Sequence, residues 1–181
     1  MFPIRMQKRA CTDTDKIESF LQSAKTGFLG LSAGNQPYVV PLNYVWHHGA
    51  VYFHGAAEGR KITYMQQNAE ACFTVCEQYG TTTSPVPALT DTAFMSVMVF
   101  GHVHAVTDLD EATEAMQAML DKYVPGYYKE ALSKTHVDKY RSSLGSRTAV
   151  FRLTASSVTS KESVSEGGSL FYPGKTVRDD Q

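Results

Sequence analysis

Arg60 and Lys61 are two adjacent cations that follow Gly59 and open a helical run. A helix start offers free amides and a positive dipole end, so paired cations there suit a phosphate through charge-assisted hydrogen bonds. The strand before them ends in His54-Gly55, and glycine lets the backbone come close to a ligand. Further upstream, Val40-Pro41-Leu42-Asn43 places a proline inside a strand. Proline cannot donate to a ladder, so this strand is bulged or lies at an edge, and its neighbours' amides are free to bond ring heteroatoms. Together these segments suit a flat, polar-edged ligand that carries a phosphate. His54 is a ligand, a general acid or a packed side chain.

Other reactive residue types give less. His102 and His104 alternate with Gly101, Val103 and Ala105 and so share one face. With no carboxylate companion evident, a polar exposed face is expected there, not a metal pair. His47-His48 falls in a turn and is expected to be solvent-exposed, and no metal site is expected. Cys72 and Cys76 share a face of one strand and read as two buried small hydrophobes. No GxSxG, HExxH, Walker A or paired-carboxylate motif occurs, so hydrolase and kinase chemistry has no support. The glycines near Arg60 do not form GxGxxG, which disfavours a dinucleotide-binding fold.

The 181 residues, with 43% hydrophobic content, are enough for one domain with its own core. A formal net charge of −1 argues against nucleic acid as a main partner. No run of about 18 apolar residues exists, so no membrane span is expected. Met1-Phe2-Pro3-Ile4-Arg5-Met6 lacks an apolar signal core, and the three cysteines are an odd count. Reduced thiols in the cytoplasm are therefore expected.

The elements that must position these residues follow from periodicity and turn signals. Asp13-Thr14-Asp15 caps a helix with Ile17, Phe20 and Leu21 on one face. Strands are expected over 27–32, 37–46, 51–54, 71–77, 94–107 and 148–154, with a hairpin turn at 33–36. Gly101 marks a bulge or a close backbone approach. Helices are expected over 60–68, 109–123 and 127–144, and a long loop over 79–92. The barrel domain is expected to cover 1–161, with 162–181 a flexible tail. Six antiparallel strands of this length close into a barrel to remove their edges.

Three segments carry a family resemblance. They are Asn35-Gln36-Pro37-Tyr38-Val39-Val40-Pro41-Leu42-Asn43-Tyr44, Tyr52-Phe53-His54-Gly55-Ala56-Ala57-Glu58-Gly59-Arg60-Lys61 and Ser96-Val97-Met98-Val99-Phe100-Gly101. Over residues 5–161 the chain resembles the flavin-binding split-barrel superfamily typified by pyridoxamine 5′-phosphate oxidase, and within it the nitroimidazole-resistance branch. The resemblance implies a mainly β, six-stranded antiparallel split barrel of the FMN-binding type. It also implies a homodimer with FMN at the subunit interface, FAD being possible at the same site. Val40, Pro41, Leu42 and Asn43 would then line the flavin ring. His54, Gly55 and Ser96 would touch the flavin, Arg60 and Lys61 would hold its phosphate, and His54 would serve the chemistry. The chain departs from the oxidase at its C-terminus, after Phe151-Arg152-Leu153-Thr154, where the arginine-bearing pyridoxal phosphate segment is missing. Vitamin B6 oxidation is therefore not expected. An FMN-dependent oxidoreductase acting on a small molecule such as a nitro compound is the leading expectation. A non-catalytic flavin binder or sensor, a haem-binding split barrel and a deazaflavin-dependent reductase are the alternatives.

Overall fold

The computed structural model describes residues 4–141, 145–164 and 170–180. Seven strands form one antiparallel sheet: β1 (Thr26–Ala33), β2 (Gln36–Asn43), β3 (Val45–His47), β4 (Ala50–Ala56), β5 (Glu70–Thr82), β6 (Asp91–Ala105) and β7 (Thr148–Ser163). Their order is β2-β1-β5-β6-β7-β4-β3. Four helices accompany them: α1 (Thr14–Ser23), α2 (Arg60–Gln67), α3 (Leu109–Tyr123) and α4 (Lys134–Lys139). The class is the expected split barrel, with seven strands where six were expected.

The extra strand arises at Tyr44. The expected single strand over 37–46 is broken there into β2 and β3, which form opposite edges of the sheet. Tyr44 is the one residue between them. Seven flat strands would span about 29 Å, far beyond the reach of one residue. The sheet must therefore curl until its edges meet. The core agrees, because one apolar cluster takes residues from all seven strands, including Leu29, Val40, Trp46, Phe53, Phe73, Val97 and Leu153. Fully buried Tyr44 pins the corner. Its hydroxyl donates to the Leu21 carbonyl at 2.8 Å, its backbone N–H donates to the Tyr123 hydroxyl at 3.0 Å, and its ring meets Phe73 edge-on at 4.9 Å.

The helices follow their caps. Asp13 accepts from the Lys16 N–H, and Asp108 accepts from the Asp110 and Glu111 N–H groups. α1 and α2 pack into the barrel core, whereas α3 covers the opposite face of β3 and β4 through Ala112, Ala115 and Met119. The helix expected over 127–144 is only α4. Gly126 takes a positive φ of 72°, and the helix starts at Ser133, whose hydroxyl caps it. Residues 142–144 lie outside the described residues.

The loop expected over 79–92 narrows to 83–90, its two ends being strand. β5 runs to Thr82 and β6 begins at Asp91, the pairing passing a register shift between Gln78 and Gly80. Threonine-rich segments pair well once a partner strand is present, which composition alone does not reveal. Gly101 sits at the register shift between β6 and β7, where a Cβ would overlap the Thr154 carbonyl, as its sequence context predicts. β7 continues past 161 to Ser163. Of the expected tail, residues 170–180 contact the β5–β6 hairpin: Leu170 bridges Thr82, and the Phe171 N–H donates to the Thr81 carbonyl at 2.8 Å. Among the described residues no helix is long and apolar enough to cross a membrane.

Candidate functional site

Strand alternation sorts the expected site residues onto two sides of the sheet. On β4, Phe53 and Gly55 face the barrel interior together with Phe151 and Ala149 of β7. His54 points the other way, toward α3. On β2, Val40 and Leu42 pack inward, while Pro41 and Asn43 stand on the outer face. β2 pairs only with β1, so Pro41 lies on an edge strand, where the missing N–H breaks no ladder.

The interior face holds a cation site at the start of α2. Gly59 takes a φ of 102° and turns the chain into the helix without a side-chain cap. Its carbonyl accepts from the Ile62 and Thr63 N–H groups at 3.0 and 3.1 Å. The Arg60 guanidinium lies 5.9 Å from the Tyr38 ring centroid. The half-buried Lys61 ammonium lies 5.2 Å from the Phe53 ring centroid and 5.5 Å from that of Phe151. Among the described residues neither cation has a carboxylate within 4 Å. Burial pushes the Lys61 pKa below its usual value. A half-buried, unpaired ammonium is costly unless an anion joins it. Gly55 makes room for it, since a Cβ there would lie 2.6 Å from Lys61 Nζ.

The opposite face holds an apolar pocket of about 240 Å³ between β4, β7, α3 and α4. Met116, Met119, Leu120, Val137 and Val150 line it, with His54, His136, Tyr140 and Thr148 as its polar side chains. His54 Nδ1 is 3.3 Å from the Met119 sulfur. The imidazole keeps one accessible edge, yet burial and then the Lys61 cation hold its pKa below the usual 6.5. The ring is neutral at pH 7 and able to donate or accept one hydrogen bond.

Ser96 lies on the outer face of β6, between Cys76 of β5 and Lys161 of β7. Pro41 and Asn43 share that face with an apolar surface: Val39 is 62% exposed, Phe28 43% and Met98 37%.

The structure thus brings Gly55, Arg60 and Lys61 together. It sets His54 behind the sheet, and Pro41, Asn43 and Ser96 on the outer surface. The aromatic floor of Phe53 and Phe151 was not singled out in the sequence, because register across β4 and β7 creates it. His136 was likewise missed; a histidine beside Val137 carries no local signal of a pocket.

Three further expectations change. Phe73 and Val75 form the core face of β5, so Cys72 is half-buried and Cys76 exposed, not both buried. His102 does have a carboxylate companion, Glu70, at 2.8 Å across the β5–β6 ladder. His47 is half-buried, and it and exposed His48 both contact Glu114.

The family model for pyridoxamine 5′-phosphate oxidase matches residues 13–162. The chain belongs to the pyridoxamine 5′-phosphate oxidase family. No curated protein matches its sequence. Among solved structures it is similar to the flavocytochrome Anf3 of Azotobacter vinelandii, with a TM-score of 0.74 and 20% identity over 98% of this chain and 77% of that one. It is also similar to a candidate 5-nitroimidazole antibiotic resistance protein of Bacteroides thetaiotaomicron, with a TM-score of 0.65 and 25% identity over 84% of this chain and 85% of that one. A third is the FAD and haem binding protein of Mycobacterium smegmatis, with a TM-score of 0.70 and 16% identity over 94% and 78%. At 20% and 16% identity, the first and third establish the fold alone.

Proposed function

We propose that this family member binds a flavin nucleotide, FMN in first place, and uses it to reduce a small molecule such as a nitro compound. The observation that carries the reading is the Arg60–Lys61 pair at the start of α2, without a carboxylate partner among the described residues and with Lys61 half-buried beneath Gly55. Such a site gains most from a phosphate, which supplies the missing negative charge. The residues fit the group: the uncapped helix start and the ammonium would hold the phosphate. FAD offers a phosphate of the same kind. The flavocytochrome and the FAD and haem binding protein share this fold, which supports a flavin. The likeness to the nitroimidazole-resistance candidate supports a nitro compound as substrate.

A bound flavin would supply the electron transfer that no side chain of this chain offers. The protein's own share is binding and orientation. Arg60 and Lys61 would neutralise the phosphate. Pro41, Asn43 and Ser96, on the apolar outer face, would meet the flavin ring where a second copy of the chain covers that face, giving a homodimer. His54, neutral at pH 7, would hold a substrate oxygen from the wall of the apolar pocket.

A second reading has one observation in its favour. His54 and His136 line the same apolar pocket with Met116 and Met119, all side chains of the kind that ligate haem iron. An absorption spectrum of the purified protein, followed by anaerobic NADH or NADPH, separates the readings. Flavin bands that bleach are the expected result. Flavin bands that persist with either donor point to a binder without this turnover, and a Soret band without flavin moves the assignment to haem.

A further inference from the structure

Away from both faces described above, the β3–β4 hairpin brings two histidines to one carboxylate. His48 and Gly49 form its two-residue turn with φ of 47° and 71°, the type I′ geometry that suits a tight hairpin. His48 is the one non-glycine with positive φ among the described residues. The turn folds the His48 ring against that of His47, with centroids 4.0 Å apart. Both Nε2 atoms then reach Glu114 Oε1 on α3, at 3.1 Å from His47 and 2.9 Å from His48. The three donor atoms lie within 4.8 Å of one another.

The neighbouring charges leave this carboxylate to the histidines. Glu111, one turn earlier on α3, accepts from the Tyr52 hydroxyl at 2.8 Å and from Arg152 at 3.2 Å. Arg152 is thereby engaged with Glu111, and among the described residues Glu114 ion-pairs only with imidazoles.

We infer that His47, His48 and Glu114 form a binding site for a divalent transition-metal ion of the Zn²⁺ type. Two imidazole nitrogens and one carboxylate oxygen are borderline donors, which suit zinc, nickel or copper better than calcium or magnesium. A zinc ion about 2.1 Å from each donor sets tetrahedral neighbours roughly 3.4 Å apart, so the two histidine–carboxylate spacings of 3.1 and 2.9 Å need to open by only a few tenths of an ångström. The exposed position leaves a fourth place for water. The bound ion ties the β3–β4 hairpin to α3, the helix that carries Met116 and Met119 into the pocket beside His54.

The test is isothermal titration of tag-free, full-length protein with Zn²⁺ alone. His48→Asn keeps the turn, because asparagine accepts positive φ readily, and Glu114→Gln keeps the helix. The expected result is saturable binding of one ion at this site, weakened at least about tenfold in each variant, as loss of one ligand predicts. Absence of saturable binding overturns the inference. Binding that is undiminished in both variants also overturns it, since the ion then sits elsewhere, for instance at Cys76 or at the Glu70–His102 pair.

Discussion

Lys61 Nζ occupies the space where a side chain at Gly55 would begin, with 2.6 Å between the ammonium and an ideal Cβ at that position. The two residues lie on different elements, a strand end and a helix start. Their approach is what holds the cation over the Phe53 and Phe151 rings.

Gly55→Ala tests this relationship. The obstructing atom is the end of a flexible side chain, so the lysine swings aside at little cost. Stability in urea should change by less than about 1 kcal/mol. Flavin nucleotide affinity should fall by roughly tenfold, about 1.4 kcal/mol, because the ammonium is displaced from its place. Fluorescence titration and urea melts on the same preparation check both halves.

Tyr44 closes the barrel, so its two polar and aromatic roles should separate. Tyr44→Phe removes the hydroxyl that donates to the Leu21 carbonyl. The Lys122 ammonium still donates there at 3.1 Å, so the loss should be about 1 kcal/mol. Tyr44→Ala also empties a fully buried ring site and should cost about 3–5 kcal/mol, within reach of unfolding the domain. Chemical denaturation with a fixed m-value measures each.

Lys122 makes stability depend on alkaline pH. Its ammonium sits 3.8 Å from the Tyr44 ring centroid, and burial, with the Lys25 cation second, lowers its pKa to about 8 from 10.5. Between pH 8 and 10.5 the unfolded chain holds a proton that the folded chain has released. This group's contribution therefore rises with pH across that window and is flat below it. Tyrosines such as Tyr44 and Tyr123 titrate on the alkaline side, so the difference between wild type and Lys122→Met isolates the lysine. That difference should favour the variant most below pH 8 and narrow toward pH 10.5. A difference independent of pH would refute the assignment.

His54 carries the opposite end of the pH scale. Burial and Lys61 hold its imidazole neutral below the usual 6.5. The unfolded chain takes up a proton first as pH falls, so stability from this group is present above that range and is lost on acidification through it. His54→Gln should flatten the stability profile between pH 7 and 5, as read by thermal melts at a series of pH values.

The same residues show what local pattern can convey. Asp13 announced its helix because capping is decided within four residues. Gly101 announced a close approach, and Arg60-Lys61 announced a cation site at a helix start. Strand order is different, because nothing near Tyr44 in the chain shows that β2 and β3 are opposite edges; closure of the whole sheet does. His54 and Gly55 were read as one site, yet period-two alternation sends adjacent strand residues to opposite faces. The pairing of β4 with β7 then decides which face meets Lys61 and which meets Met119. The contacts of His47 and His48 with Glu114, and of His102 with Glu70, needed tertiary and cross-strand register that spacing does not encode.

The most direct test of a phosphate-bearing flavin at Arg60 and Lys61 compares FMN with riboflavin, which differs by that phosphate alone. Fluorescence titration of the apoprotein should give FMN at least about tenfold tighter than riboflavin, the contribution of one or two charge-assisted hydrogen bonds. An Arg60→Ala, Lys61→Met variant that melts like wild type should lose most of that preference, keeping only what the backbone amides of the helix start supply. Equal affinities in the wild-type protein, or a preference for FMN that is undiminished in the variant, would contradict the account.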